Sequence, residues 1–339
     1  MDTFSFDTIN LGHGSGGLMT RELLDQIIFK TFSNPYIDQK HDGATVKLEG
    51  KIAISTDSFV VSPIFFKGGN IGELAVHGTV NDVAMCGAIP KYLSLAFIIE
   101  EGLKIEEFVK IVNSVKEAAT KSGVQIVTGD TKVVERGKGD QIFINTTGFG
   151  EVNPNGNIAV TNIMVGDKII VNGNIAQHGM AIMSERKGLE FESAIVSDST
   201  NLNYLTNELL NSFGKKIRFF RDATRGGLSG VLSEIADDIQ QGISIFEKAL
   251  PIDKQVSAAC EILGLDPMYV ANEGVFIAIV DSDRAKEVVS HLSTHHFCEQ
   301  AAIIGNVVAA HPRQVVIRSG IGGRRVVNML VGQQLPRIC

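Results

Sequence analysis

The chain has 339 residues, 44% of them hydrophobic, and a formal net charge of −7. That is apolar material for two cores, with no basic stripe to neutralise phosphates, which excludes nucleic acid as the main partner. The longest apolar stretch, Tyr92 to Ile99, is far shorter than a membrane span, and Met1-Asp2-Thr3-Phe4 opens without a basic leader, so no membrane partner and a cytoplasmic location are expected.

In chain order, Gly12-His13-Gly14-Ser15-Gly16-Gly17 has the letters of a dinucleotide fingerprint and runs into an amphipathic helix. The expected preceding core strand and βαβ continuation are missing, so a Rossmann reading fails; backbone amides able to wrap phosphate oxygens beside a helix start remain. Asp42 follows in His41-Asp42-Gly43-Ala44. Alternation predicts strands at Lys51–Thr56, leading into Asp57, at Tyr92–Ile98, at Gln125–Val127, leading into Thr128-Gly129-Asp130, and at Gln141–Thr147. Helical patterns cover Ile71–Cys86 and Ile105–Ser122.

The turn cluster Asn153-Pro154-Asn155-Gly156-Asn157 marks a boundary between two α+β halves. Beyond it, strands are predicted at Lys168–Val171, Ile243–Phe246 and Val275–Val280, and helices at Leu228–Asp238, Val256–Leu263 and Arg284–His291. Asp222-Ala223-Thr224-Arg225-Gly226-Gly227-Leu228 reads as a glycine turn opening a helix, with a hydroxyl at a capping position and a guanidinium suited to phosphate or carboxylate. Glu273, in Asn272-Glu273-Gly274 before a strand, is a candidate base. Lys132 is either a phosphate clamp or an exposed lysine.

Two features carry chemistry. Asp42, Asp57, Asp82 and Asp130 sit at junctions, Asp82 among small apolar neighbours where an unpaired charge is costly. Together they suggest oxygen ligands for Mg²⁺. The cysteines Cys86, Cys260, Cys298 and Cys339 lack metal-knuckle or redox spacing and are expected as reduced thiols. Only Cys339, after Pro336-Arg337-Ile338, is freely presented. A terminal thiol can visit a site instead of being fixed in one.

These segments, together with Ser55-Thr56-Asp57-Ser58-Phe59-Val60-Val61, Val76-His77-Gly78-Thr79-Val80-Asn81-Asp82-Val83-Ala84-Met85 and Thr128-Gly129-Asp130-Thr131-Lys132-Val133-Val134-Glu135-Arg136-Gly137-Lys138-Gly139, resemble the HypE family of hydrogenase maturation factors. Its superfamily includes aminoimidazole ribonucleotide synthetase and selenophosphate synthetase. The resemblance covers essentially the whole chain. It implies a two-domain α+β synthetase-like fold, whose N-terminal sheet forms a barrel at the core of a homodimer, and a C-terminal α/β domain with a flexible tail.

The corresponding divisions are an arm and helix at 1–41, an ATP-binding and dimerisation domain at 42–155, an α/β domain at 156–318, and a tail at 319–339. The resemblance further implies ATP and Mg²⁺ as cofactors. Their contacts would come from Gly12, His13, Gly14, Ser15, Gly16, Gly17, Asp42, Asn81, Thr131 and Arg225, and the metal ligands would be Asp57, Asp82 and Asp130 assisted by Asp42. Cys339 would carry a carbamoyl group loaded by the carbamoyltransferase HypF. ATP-dependent dehydration would convert it to a thiocyanate, with Glu273 as base and Lys132 as second choice or phosphate holder. Cyanide would pass to iron on a HypC–HypD scaffold.

The chain has His41 and Gln177 where family members often have acids, so neither is assigned a role. A synthetase acting on a diffusible substrate is a weaker reading, since the glycine segment lacks the cysteine of selenophosphate synthetases. A nucleotide-binding carrier that leaves the chemistry to others is the alternative from a different class.

Overall fold

The computed structural model of the protein describes residues 6–188, 195–330 and 337–338, and the carrier candidate Cys339 lies outside them. The N-terminal arm forms α1 (Leu18–Leu23) and α2 (Lys30–Phe32), joined by the wider-wound turn Leu24–Phe29. There follow β1 (Ile52–Phe59), the hairpin strands β2 (Phe65–Phe66) and β3 (Gly69–Asn70), α3 (Ile71–Met85), β4 (Ala88–Glu100), α4 (Ile105–Ser122), β5 (Gln125–Val134) and β6 (Ile142–Val152). The first large sheet has the order β1-β6-β4-β5, antiparallel except for the parallel β4–β5 pair.

Helix α3 is apolar nearly all round because it is covered nearly all round. Leu74, Ala75, Val76, Val80, Val83 and Ala84 are fully buried between the sheet and the neighbouring helices. Asn70 starts the helix by accepting the Gly72 N–H at 2.8 Å. Among the described residues, the opposite face of the sheet has no such cover. Ile54 is 61% and Ile98 45% exposed there, in cross-strand register with Phe149 and Phe143 of β6.

The second half supplies β7 (Lys168–Val171), α5 (Gln177–Lys187), α6 (Asn203–Phe213), β8 (Ile217–Asp222), α7 (Gly227–Asp238), β9 (Gly242–Phe246), α8 (Lys254–Leu263), β10 (Phe276–Val280), α9 (Ala285–Leu292), β11 (Ala302–Val308), β12 (Val315–Arg318) and β13 (Arg324–Val327). Its sheet has the order β13-β12-β9-β11-β7-β10-β8. Helices α5, α7 and α8 fill one face, and α6 and α9 fill the other. The second core also takes in Ala84 and Met85 from α3, which joins the halves.

The fold departs from the sequence pattern at two places. The strand expected to stop at Val127 runs on to Val134, because Gly129 is there to pass the Leu95 carbonyl of β4: a Cβ on Gly129 would lie 2.0 Å from that oxygen. The tail expected to begin at residue 319 is partly strand, since Arg324–Val327 pairs antiparallel with Val315–Arg318 at the edge of the second sheet. The segment after β13 therefore starts at Asn328. Its inner end is held further by the Ser229 hydroxyl, which donates to the Asn328 carbonyl at 3.1 Å.

Candidate active site

Between the first sheet with α3 and the β8–α7 turn lies a cleft of about 680 Å³, lined by Asp57, Asp82, Asp222, Arg225 and Glu273 among others. Asp57 comes from β1, where its carboxylate accepts the Ser58 N–H at 2.7 Å and an Arg225 N–H at 3.1 Å. Asp82 comes from α3 and accepts the Ser55 hydroxyl at 2.7 Å. Burial raises its pKa, with Asp57 adding to the rise. Asp222 closes β8, and its carboxyl is pushed up to about 7, by desolvation first and then by Asp82. Gly227 lets α7 begin so close: its φ is +58°, and a Cβ would meet the Val270 carbonyl at 2.6 Å. Gly226, and not the expected Thr224 hydroxyl, occupies the cap.

Glu273 is 3% exposed in the segment before β10. Its backbone N–H donates to Asp198 at 3.2 Å, and the next N–H, of Gly274, donates to the same carboxylate at 3.0 Å. The Glu273 Oε1 atom has no hydrogen-bond partner among the described residues. Its pKa is raised well above the carboxylate range by burial first, then by Asp198, Asp222, Asp57 and Asp82. Such a crowd of oxygen donors with raised pKa values is an electrostatic deficit that a hard divalent cation would relieve, so the residues present fit Mg²⁺.

Because Asp222 holds its proton more tightly folded than unfolded, the stability it contributes is complete below its ordinary value of 3.8 and is lost as pH rises towards about 7. Metal-free Asp222→Asn protein is expected to lose less stability than wild type across that window. Denaturant melts at several pH values check this; parallel curves would overturn it.

The other expected ligands lie elsewhere in the chain. Asp130 and Asp42 line a second cleft of about 520 Å³, together with Gly14, Gly16, Thr131 and Lys132, over an apolar wall that includes Leu24, Ile28 and Phe29. Asp57 and Asp130 are on β1 and β5, the two edge strands of the sheet. Three strand spacings separate those edges, about 14 Å. Asp57 is in register with Thr146 and, through it, Leu95, both buried beneath the helices. Asp130 is in register with Ala96 and belongs to the opposite, open face. Mg²⁺–oxygen distances of about 2.1 Å cannot bridge that gap, so one chain does not assemble the expected set of ligands. Lys132 pairs with Asp130 at 2.7 Å and holds it below the usual carboxylate range.

The glycine segment lies beside β5, with Gly14 against Val133 and Gly17 at the start of α1. Gly12 accepts the Ser15 hydroxyl at 3.0 Å. His13, buried, accepts the Asn10 N–H at 2.9 Å. The Thr131 N–H donates to Asp130 at 2.9 Å. Asn81, expected at the nucleotide, is a clamp between the halves. Its amide donates to the Thr200 carbonyl at 2.9 Å and its oxygen accepts the Leu202 N–H at 2.8 Å, which leaves it few free valences.

Three participants were not read from the sequence: His178, Asp198 and Arg186. The penultimate residues of the chain return to this region. Ile338 is 8% exposed within the first core, and its carbonyl accepts from His178 Nε2 at 2.6 Å. A carbonyl only accepts, so Nε2 carries the hydrogen and Nδ1 accepts the Ser197 hydroxyl at 2.8 Å. Burial lowers the His178 pKa, consistent with a neutral ring. Arg337 pairs with Asp140 at 2.8 Å, and Arg186 donates to the carbonyls of Arg337 and Ser62. The dipeptide Ser197-Asp198 thus touches both the histidine that holds the tail and the backbone of Glu273. No sequence pattern marks it.

Residues 40–152 match the family AIR synthase related protein, N-terminal domain, and residues 164–318 match its C-terminal domain. The carbamoyl dehydratase HypE of Azotobacter vinelandii is 46% identical over 333 residues, covering 98% of this chain and 97% of that protein. A crystal structure of the hydrogenase maturation protein HypE in complex with ATP superposes with a TM-score of 0.93 at 44% identity, covering 97% of this chain and 99% of the other. The HypE chain of a HypE–HypF complex gives a TM-score of 0.80 at 44% identity, covering 91% and 99%.

Proposed function

This chain belongs to the HypE family of carbamoyl dehydratases, and from that premise we propose that it dehydrates an S-carbamoyl group on its own Cys339 to a thiocyanate in an ATP-dependent reaction. The product supplies cyanide ligands for the iron of nickel–iron hydrogenase. One observation carries the reading: the Ser197-Asp198 dipeptide joins the seat of Ile338, next to Cys339, to the backbone N–H of Glu273. Substrate arm and base are thereby held by one piece of backbone.

The amide oxygen is a poor leaving group, and Mg²⁺-ATP supplies the phosphoryl group that makes it a good one. Asp57, Asp82 and Asp222 would hold the cation, and Arg225, which donates to Asp57, would supply a guanidinium for the phosphates. Conversion of the carbamoyl group to a nitrile removes both nitrogen protons and the oxygen, which leaves with phosphate. With a cation on the neighbouring carboxylates, the repulsion that adds to burial in keeping Glu273 protonated would be removed, and the deprotonated carboxylate, whose Oε1 has no other partner among the described residues, would take protons from nitrogen.

The active unit is a homodimer in which the uncovered face of the first sheet meets its copy, bringing the partner subunit's Asp130 and Lys132 to a cleft that one chain leaves incomplete. HypF loads the carbamoyl group and a HypC–HypD complex receives the cyanide. The compartment is the cytoplasm; among the described residues no helix is long and apolar enough to cross a membrane.

Intact-mass spectrometry of carbamoylated protein tests the reaction. Addition of ATP and Mg²⁺ is expected to remove the mass of one water, and an unchanged mass would leave only the carrier reading. The tail seat has its own test. His178→Ala deletes the donor to Ile338, a loss of ~1 kcal/mol, and should speed tryptic cleavage after Arg337 about fivefold. An unchanged cleavage rate would show that the seat does not hold the tail.

A further inference from the structure

Away from the cleft, the imidazoles of His291 and His295 converge on the Glu208 carboxylate. His295 Nε2 lies 3.1 Å and His291 Nε2 3.7 Å from the same oxygen, Oε2. The three ligand atoms lie within 4.8 Å of one another. Four-coordinate Zn²⁺ with ligands at about 2.0–2.1 Å has ligand–ligand edges of roughly 3.3 Å, and the edges of 3.1 and 3.7 Å bracket that value.

The side chains come from separate elements and are individually oriented. Glu208 projects from α6, His291 from the last turn of α9, and His295 from the segment after it. The His291 ring stands edge-on to Phe213 of α6, and the His295 ring packs against Phe297. The His291 Nε2 atom is shielded from solvent yet has no hydrogen-bond partner among the described residues. A nitrogen held in that state is suited to a metal bond, and one oxygen facing two imidazole nitrogens is a donor set for a borderline divalent cation, not for Mg²⁺.

We propose that Glu208, His291 and His295 form a binding site for Zn²⁺ or a similar borderline transition cation, with the fourth position open to water. The site is separate from the acidic cleft and independent of the dehydration proposed above. By joining α6 to the α9 segment it braces the helix that packs on α3 and β4 of the N-terminal half.

The experiment uses the tag-free, full-length protein and Co²⁺ as a spectroscopic probe, with excess Mg²⁺ present to occupy oxygen-only sites. One equivalent of Co²⁺ is expected to give the visible bands of a four-coordinate nitrogen–oxygen site and to be displaced by Zn²⁺. His291→Ala, His295→Ala and Glu208→Gln should each weaken binding more than about 100-fold, beyond the range lost with an outer-shell partner. Their metal-free melting temperatures should stay near wild type. Should an alanine variant fold poorly, His295→Gln replaces it. Absence of the bands, thiolate-to-cobalt charge transfer indicating cysteine ligation, or bands unchanged in folded variants would overturn the site.

Discussion

A mixture of Asp57→Asn and Asp130→Asn chains, each inactive as a homodimer, is expected to regain about a quarter of wild-type dehydration after subunit exchange. The reasoning starts from the sheet order β1-β6-β4-β5, which puts the two aspartates on opposite edge strands and opposite faces. If a site takes Asp57 from one subunit and Asp130 from the other, a mixed dimer contains one site with both aspartates intact and one with neither. Random exchange makes half of the dimers mixed, and each has half of its sites restored. An aspartate ligand to the metal is worth about 10²-fold or more in rate, so the recovery should stand far above either parent. Continued inactivity of the mixture would place the whole site within one chain. Full activity of Asp130→Asn alone would remove that residue from the site.

Glu273→Gln is expected to lower dehydration of the preloaded carbamoyl-cysteine by about 10²- to 10⁴-fold, the range for loss of a general base, while ATP affinity stays near wild type. The substitution keeps shape and volume, and Oε1 has no hydrogen bond to lose among the described residues. Folding should not suffer. The carboxyl holds its proton far more tightly in the fold than in the open chain, so the wild-type residue loses stability as pH rises through the window that glutamine removes. Single-turnover mass spectrometry separates the chemical step from nucleotide binding. An unchanged rate would transfer the base role to Lys132, whose ammonium pairs with Asp130 in the second cleft.

Periodic segments were the legible part of the fold. Helix α4, with its apolar stripe and Gly123 at the left-handed stop, runs over the residues its pattern predicts. Strand β7 does the same. The pattern at Gln125 ends before the strand does because the second half is Thr128-Gly129-Asp130-Thr131-Lys132, polar residues that face an open surface or pass a neighbouring carbonyl. Helix α6 is not among the predicted elements, and β13 falls in the stretch whose glycines predict a tail. Helix α6 derives its order from contacts made far along the chain, with α3 and β4, whereas β13 is ordered by the local hairpin it forms with β12 at the edge of the second sheet.

The candidate site divides in the same way. Residue types and spacing picked out Asp57, Asp82, Arg225 and Glu273, which the structure collects around one cleft. They grouped Asp42 and Asp130 with these, because sequence carries no information about which sheet edge a strand will occupy. Asp222 was legible only as the start of a turn, and His178 and Asp198 had no signal. A hydrogen-bonded acid in a loop becomes a support only when the segment it holds has been folded against it.

By itself, then, the sequence determined the chemistry available to this protein. Its family, the carboxylates suited to a hard cation and a terminal thiol are properties of residue type and local order. The tertiary structure decided which of those groups can act together. Strand order separated Asp57 from Asp130 by about 14 Å, and chain reversal brought Ile338 to His178. Coulomb interactions and desolvation depend on distance and burial, so pKa values, metal ligation and the reach of the tail arise only when the fold sets those distances.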